Sequence, residues 1–293
     1  MREPVSLAYL LARASDTLAD TESLDAGLRL QMLDGFREAL DGADREEWVE
    51  RIISEVVPLQ RHEGEKALMK NMEGVFHWLD SLKSEQASEG VYQAPDSLAV
   101  ATRQHAAILE VMSHILKGQR LDIERFELQQ GFRFTLDAEL EEYCYLVAGC
   151  VGEFWTEVGM VSLPGFSQLD EARLKRWGMN YGKGLQLINI LRDLPSDLKA
   201  GRCYLPEGDP ADPVSMLEQS ARWRARARQY LEEGHAYAQS LNLRRTRAAT
   251  ALPGLIGERT LDRMDQAGWR ELEQGVKISR AQVYRCAIES FFV

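Results

Sequence analysis

The chain has 293 residues, of which 45% are hydrophobic, so it can bury a large core in one domain or two closely packed ones. Its formal net charge of -11 excludes a surface built to neutralise a phosphate backbone, and we do not expect nucleic acid as a partner. The four cysteines form no CxxC pair, which predicts reduced thiols and a cytoplasmic location.

Apolar residues recur at helical spacing along almost the whole chain. In chain order, the predicted helices cover residues 4–19, 24–40, 45–57, 64–86, 98–116, 137–158, 168–194, 213–241, 244–267 and 279–292. Residues 201–213 hold three of the nine prolines and are predicted to form a loop that could act as a flap. The pattern indicates an all-α fold, with residues 1–293 as a single domain.

The sequence lacks the run of roughly 18 apolar residues that a membrane-spanning helix needs. An apolar run at residues 5–12 is similar to a short signal peptide, but Glu3 and Arg13 flank it unfavourably. We therefore expect a soluble protein, and a peripheral contact with a membrane stays open.

Two pairs of aspartates stand out. Asp16 and Asp20 lie near the start of the sequence, and Asp193 and Asp197 lie far along it. The spacing of four residues places both carboxylates of a pair on one helix face, about one turn apart. A solvated helix face or a helix cap would explain either pair taken alone.

An arginine accompanies each pair: Arg13 lies three residues before Asp16, and Arg192 immediately precedes Asp193. Carboxylates beside guanidinium groups suit a diphosphate bridged by Mg²⁺, because hard oxygen ligands hold the metal and arginine binds phosphate oxygens bidentately. Two such motifs on separate helices would form facing carboxylate walls, where neutralising a leaving diphosphate lets a C–O bond ionise. The residues thus predict a metal-assisted ionisation site beside a dry, apolar pocket for the allylic cation.

Three segments resemble the squalene and phytoene synthase family. Residues 9–20 (YLLARASDTLAD) resemble its first aspartate motif, and residues 143–152 (YCYLVAGCVG) resemble its central tyrosine helix. Residues 184–193 (GLQLINILRD), continuing through GRCYLP at residues 201–206, resemble its second aspartate motif and flap. The three signatures occur in the family's order and together span most of residues 9–206.

The resemblance implies a trans-isoprenyl diphosphate synthase-like helical bundle with a central cavity, and the activity of a prenyltransferase. One farnesyl diphosphate would ionise, a second would attack it to give presqualene diphosphate, and hydride from NADPH would then yield squalene. Dehydrosqualene, or phytoene from geranylgeranyl diphosphate, would form without reduction. A non-catalytic member that serves as an assembly or scaffold protein is a further alternative.

The resemblance also assigns roles to individual residues. Mg²⁺ and diphosphate would be held by the four aspartates of the pairs, Asp16, Asp20, Asp193 and Asp197. Diphosphate contacts would come from three arginines and two amides, namely Arg13, Arg192, Arg202, Gln186 and Asn189. Tyr143 would help to remove or steer the proton in the first half-reaction, and the alternative for it is a buried phenol with one hydrogen bond.

Some positions depart from the family pattern or need a structural reason. Family members usually carry a diphosphate-binding helix before the first motif, and we expect that helix to be absent because the sequence begins 15 residues before Asp16. Pro195 is expected to kink or end the helix within the second motif and to redirect Asp197. Gly149 and Gly152 are expected to allow close helix packing, since glycine costs a helix about 1 kcal/mol.

Overall fold

The computed structural model of the protein describes residues 1–84, 95–128 and 133–293. Contacts divide the chain into two compact units, the first formed by residues 1–128 and 157–163 and the second by residues 129–156 and 164–293. Throughout the described ranges the regular structure is helical, and pairing between extended segments is limited to two isolated bridges. The predicted all-α class is confirmed, while the single domain stays a prediction.

Six α-helices form most of the first unit: α1 (Arg2–Ala19), α2 (Ala26–Leu40), α3 (Arg45–Arg51), α4 (Glu63–Lys70), α5 (Met72–Ser84) and α6 (Pro95–Ile123). The predicted helix 45–57 is regular only to Arg51, and a π-helical turn and a 3-10 turn complete it. The predicted helix 64–86 is two helices, because Asn71 adopts φ -108° and ψ 21° between them. Residues 85–86 of that prediction lie outside the described residues.

The core of the first unit follows the apolar stripes of its helices. α1 buries Leu7, Leu11 and Leu18 completely and packs on α6. Behind α2, the rings of Phe36 and Trp48 stack at 4.8 Å, and the indole Nε1 donates to a main-chain oxygen of α2 at 2.9 Å. The packing of α1 on α6 and α2 positions the helix end at which the first aspartate pair lies.

The second unit contains α7 (Asp137–Cys144), most of α8 (Cys150–Ser162), α9 (Glu171–Lys199), α10 (Pro213–Ser240), α11 (Arg244–Asp265), α12 (Trp269–Glu273) and α13 (Arg280–Glu289). A π-helical turn joins α7 to α8, and a 3-10 turn, Ser290–Phe292, follows α13. The five-residue α12 is too short for periodicity to predict it. The loop prediction holds, since the segment between α9 and α10 has no regular helix.

Glycines allow α8 and the preceding π-helical turn to lie against α9. A Cβ on Gly152 would lie 1.9 Å from the carbonyl oxygen of Gly178, and a Cβ on Gly182 would lie 2.2 Å from that of Ala148. Backbone therefore touches backbone, and only glycine fits at these points. The expectation of close helix packing at Gly152 is confirmed.

α9 does not end at Pro195, so the expectation that this proline could end the helix within the second motif is wrong. The helix runs from Glu171 to Lys199 with Pro195 buried inside it. Proline removes one main-chain donor, but Leu191 and Leu194 are also buried and their packing holds the helix together across that gap. Asp193 and Asp197 consequently lie on one continuous helix.

All four cysteines are free and buried. Burial is the main cause that raises the pKa of Cys150 to about 12, so its thiol stays protonated at neutral pH. In the ranges that the structure describes, the helices are either too short or too polar to cross a bilayer.

Candidate functional site

The first aspartate pair lies at the C-terminal end of α1. Asp16 is half-buried, and Asp20 is the exposed residue that caps the helix. The main-chain N–H of Asp20 donates to the carbonyl oxygen of Asp16 at 2.8 Å, so the helical register continues through the pair. The structure thus brings the two carboxylates together on one helix face, as the spacing predicts.

Gln119 of α6 holds the carboxylate of Asp16 in place, and the sequence analysis did not identify this residue. Its Nε2 lies 2.6 Å from Oδ1 of Asp16 and 3.0 Å from Oγ of Ser15. Gln119 is 8% exposed, and its Oε1 is buried without a hydrogen-bond partner. A signal existed in the sequence, because Gln119 interrupts the apolar stripe that runs through Ile115 and Ile123.

The local electrostatics of Asp16 favour a cation. Burial raises the pKa of Asp16 above its usual range, and repulsion from the Asp20 carboxylate adds to the rise, although Gln119 and Arg13 act against it. Two crowded carboxylates gain stability from a bound positive charge that reduces their repulsion. The pair therefore has the electrostatic character of a metal-binding group.

Arg13 forms an ion pair with Glu65 of α4. Arg13 and Asp20 also line a cleft of about 740 Å³ in the first unit, together with Arg61 and His62. Because its side chain is 44% exposed, Arg13 can exchange Glu65 for a phosphate oxygen without crossing a packed core. Its predicted contact with diphosphate stays a prediction.

The second aspartate pair lies in the last third of α9, in the other unit. Arg192 forms a bidentate pair with Asp193, with Nε to Oδ1 at 2.9 Å and Nη2 to Oδ2 at 2.6 Å. This pairing raises the pKa of Arg192. Arg202 places Nη2 3.4 Å from Oδ1 of Asp197 and also donates its main-chain N–H to the carbonyl oxygen of Asp197 at 2.8 Å.

The two predicted amides lie on the same helix as this pair. Gln186, Asn189, Asp193 and Asp197 follow one another at intervals of three or four residues, which places them in a single polar stripe. Nδ2 of Asn189 lies 3.5 Å from Oε1 of Gln186. Because α9 is continuous, the structure brings all four together.

Tyr143 lies near the end of α7 inside an aromatic cluster. Its ring stacks on Tyr204 with centroids 5.0 Å apart and contacts Phe134 at 5.7 Å. The main-chain N–H of Phe134 donates to the carbonyl oxygen of Cys203 at 3.0 Å. The predicted flap segment is therefore hydrogen-bonded to the residues that immediately precede α7. The sequence analysis did not identify Phe134, because nothing local marks it as a neighbour of Tyr204.

An apolar cavity of about 430 Å³ lies in the second unit. Its wall comprises aliphatic and aromatic side chains together with the glycines at the helix contact: Val147, Ala148, Val151, Gly152, Trp155, Gly178, Tyr181, Gly182, Leu185, Tyr237, Ala249, Thr250 and Pro253. Leu185 directly precedes Gln186 on α9. The lining therefore ends on α9 at the residue before the polar stripe, and the stripe itself lies outside the lining.

Both aspartate pairs fit hydrated magnesium in their chemistry. Mg²⁺ prefers oxygen ligands, keeps several waters, and is commonly bound by one or two carboxylates plus substrate phosphates. Over residues 1–84, 95–128 and 133–293, no three His, Cys, Asp or Glu side chains assemble into a closed metal site. Each pair would thus hold the ion through two carboxylates, with phosphate oxygens and water as the other ligands.

A sequence model of one protein family, described as squalene/phytoene synthase, matches residues 1–282. Among curated proteins, a phytoene synthase of Arthrospira platensis is 30% identical over 51% of this chain and 48% of its own length. A phytoene synthase of Thermus thermophilus is 33% identical over 53% of this chain and 60% of its own length. The matches span about half to three fifths of the length of these relatives.

The fold is also similar to that of a solved structure. TcSQS, in complex with the ligand E5700, superposes with a TM-score of 0.74 at 21% sequence identity, covering 98% of this chain and 78% of that one. At that identity the likeness concerns the fold, and it agrees with the expected isoprenoid synthase-like helical bundle.

Proposed function

The chain belongs to the squalene/phytoene synthase family, and from that premise we propose that it is a prenyltransferase that joins two isoprenoid diphosphates head to head. The observation that carries this proposal is the polar stripe of α9. Gln186, Asn189, Asp193 and Asp197 occupy one helix face, with Arg192 and Arg202 paired to the aspartates. Carboxylates suit the metal ion, and the guanidinium and amide groups beside them suit the oxygens of a diphosphate.

Asp193 and Asp197 would hold Mg²⁺ in the second unit, and Asp16 and Asp20 would hold it in the first. Bound there, Mg²⁺ supplies Lewis-acid stabilisation of the departing diphosphate. Arg192 and Arg202, which pair with Asp193 and Asp197, would donate to the phosphate oxygens of a bound diphosphate, which arginine binds bidentately.

The 430 Å³ cavity is the proposed place for a prenyl chain. Its wall is mostly aliphatic and aromatic, so a bound prenyl chain would displace water from it, and ring faces such as that of Trp155 would stabilise an allylic cation. Leu185 of the cavity wall precedes Gln186 of the polar stripe on α9, so a prenyl chain that extends past Leu185 would carry its diphosphate end toward the stripe.

Tyr143 is proposed to steer the proton that the first half-reaction releases. Its ring is fixed between Phe134 and Tyr204, so the direction of its hydroxyl is set by packing. A positioned phenol can serve in proton transfer.

The product follows from the chain length of the substrate and from the last step. Squalene from farnesyl diphosphate, with hydride supplied by NADPH, is the product that the sequence motifs led us to expect. Glycines 178, 182 and 184 lie within α9 at close helix contacts, so they do not form the glycine-rich turn after a strand that binds a dinucleotide. Phytoene from geranylgeranyl diphosphate is the second candidate, because the curated relatives named above are phytoene synthases.

A thermal-shift experiment tests the diphosphate site without requiring turnover. Mg²⁺ together with a non-hydrolysable farnesyl diphosphate analogue is expected to raise the Tm, since a ligand that binds only the folded state stabilises it by mass action. Excess EDTA should abolish most of the rise. A rise that persists unchanged in EDTA would contradict metal-dependent binding.

A further inference from the structure

The segment between α9 and α10 contains a buried loop. Residues 201–208 are here called the strap, and residues 203–206 within it are buried in succession, with Cys203 and Leu205 fully covered. Gly201 and Gly208, at φ values of 80° and 88°, turn the chain at the two ends of the strap. Because connecting segments usually run over the surface, the carbonyl groups of a buried loop need partners inside the protein.

Arg133 supplies two of these partners from the residues that precede α7. Its Nη1 donates to the carbonyl oxygen of Gly208 at 3.0 Å, and its Nη2 donates to that of Leu205 at 3.1 Å. The main chain of Arg133 also forms an isolated parallel bridge with Cys203. Arg133 is half-buried, and in the part of the chain that the structure describes its guanidinium pairs with no carboxylate. The guanidinium is thus directed at the strap.

The chemistry of arginine suits this contact. Its donors form a rigid planar fork, so one side chain can hold two carbonyl groups that lie three residues apart. Hydrogen bonds from a charged donor are also stronger than those between neutral groups. A lysine at this position would be a single donor on a flexible stem. The fork therefore fixes the turn from Leu205 to Gly208.

Two side chains of the strap reach the candidate site. Nη2 of Arg202 lies 3.4 Å from Oδ1 of Asp197. The ring of Tyr204 stacks on that of Tyr143 with centroids 5.0 Å apart. Neither Arg202 nor Tyr204 belongs to a helix, so both contacts depend on where the strap lies. A displaced strap would disturb the second aspartate pair and the phenol together.

We propose that Arg133 is a positioning residue of the candidate site and acts by locking the strap. The lock keeps the guanidinium of Arg202 at the second aspartate pair and keeps the ring of Tyr204 against the phenol. The catalytic consequence rests on the proposed function, whereas the lock itself is a property of the folded chain.

Hydrogen–deuterium exchange of the full chain tests the lock without substrate. Arg133→Lys keeps the charge but can serve one carbonyl at a time, so the amides of the strap should exchange about tenfold faster or more. The flanking helices α7 and α10 should exchange as in the unchanged protein at the short labelling times at which the strap exchanges. Arg133→Met, which removes both donors, should have the larger effect on the strap.

Arg222→Gln is the matched control for this experiment. Nη2 of Arg222 lies 4.0 Å from Oε2 of Glu207, so this second arginine approaches the strap at an exposed side chain. Its removal should leave the exchange of the strap unchanged, because a surface ion pair at that distance contributes little. Equal strap exchange in Arg133→Lys and the unchanged protein would overturn the proposal. So would an equal rise in α7 and α10, since Arg133 would then support the whole unit.

Steady-state kinetics separate positioning from stability. Arg133→Lys should raise the KM for the isoprenoid diphosphate about tenfold, because Arg202 is no longer held at Asp197, whereas Arg222→Gln should keep its KM. A loss of stability alone would lower the amount of active protein without changing KM. An unchanged KM despite faster strap exchange would overturn the positioning role. Lack of turnover in the unchanged protein would contradict the proposed function and with it that role, while the exchange result would still decide the lock.

Discussion

The side-chain amide of Gln119 donates to the carboxylate of Asp16 across a distance of 2.6 Å, joining residues that are 103 positions apart in the sequence. The contact fixes one carboxylate of the first pair where its partner Asp20 repels it. A buried amide that donates to a half-buried anion restrains that anion more than solvent would.

Gln119→Leu is predicted to lower kcat/KM by about 10- to 150-fold, because hydrogen bonds to charged groups contribute about 1.5–3 kcal/mol. The variant should still fold, because leucine also removes Oε1 of Gln119, a buried acceptor that has no hydrogen-bond partner. Steady-state kinetics at saturating Mg²⁺ would measure the loss. Gln104→Leu is the control, because Gln104 also lies on α6 and donates to Ser162 at 2.9 Å, away from both aspartates. Similar kinetics for the two variants would remove the proposed role of Gln119.

Tyr143→Phe separates the two interpretations of this phenol. The aromatic contacts with Phe134 and Tyr204 remain, so the Tm should change little. Turnover should fall by about a hundredfold or more if the hydroxyl moves a proton. Tyr145→Phe, which removes a hydroxyl that donates to Glu153 at 3.0 Å, should keep its activity. A lower Tm with unchanged turnover would instead identify Tyr143 as a structural residue.

Gly152→Ala is predicted to destabilise the second unit by about 1–3 kcal/mol or more, because the new methyl group would meet the carbonyl oxygen of Gly178 at 1.9 Å. Chemical denaturation would measure the change. In Gly64→Ala, the matched control on α4, the methyl group meets only the side chain of His62, and alanine should raise helix stability slightly. If both variants had the same stability, the close contact between α8 and α9 would be wrong.

Glu141 of α7 forms ion pairs with Lys183 of α9 and Arg226 of α10, and it accepts from the Tyr230 hydroxyl at 2.6 Å. Burial alone would raise the pKa of Glu141, but these partners outweigh it and lower the pKa below its usual value. A lowered pKa in the folded state means that the carboxylate stabilises the fold above its unfolded pKa of about 4.3. That contribution is lost as the pH falls through the folded pKa.

Glu141→Gln should therefore lower the free energy of unfolding at neutral pH, by about 1.5–3 kcal/mol. The difference from the unchanged protein should shrink below about pH 4, where the unfolded glutamate is protonated. Denaturation curves across this pH range would measure both effects, with the exposed Glu232→Gln on α10 as control. A difference that is constant with pH would exclude ionisation of Glu141 as its cause.

Much of the site could be predicted because it is local in sequence. Helical spacing alone places Asp193 with Asp197, and Asp16 with Asp20, on one helix face, while the family resemblance indicated Gln186 and Asn189. Pro195 does not end α9 as the sequence allowed, since burial of its neighbours outweighs the loss of one main-chain hydrogen bond.

The residues that the sequence did not reveal act through long-range contacts. Gln119 meets Asp16, Glu65 meets Arg13, and Phe134 meets Tyr204, each pair at least 50 positions apart. The π-helical turns were also not predicted, because apolar periodicity does not separate i+4 from i+5 hydrogen bonding over five residues. Hydrophobic pattern thus determines which segments are helical, but it does not determine which side chains meet.

The most direct test of the central claim is product analysis. Purified protein would be incubated with Mg²⁺ and either farnesyl or geranylgeranyl diphosphate, with and without NADPH, and the extract would be analysed by gas chromatography and mass spectrometry. Asp16→Asn and Asp193→Asn, with unchanged helicity and Tm, serve as matched variants. We predict a head-to-head product, squalene, dehydrosqualene or phytoene, that falls by about a hundredfold or more in each variant. Absence of any such product from the unchanged protein, or an equal yield from the variants, would contradict the account.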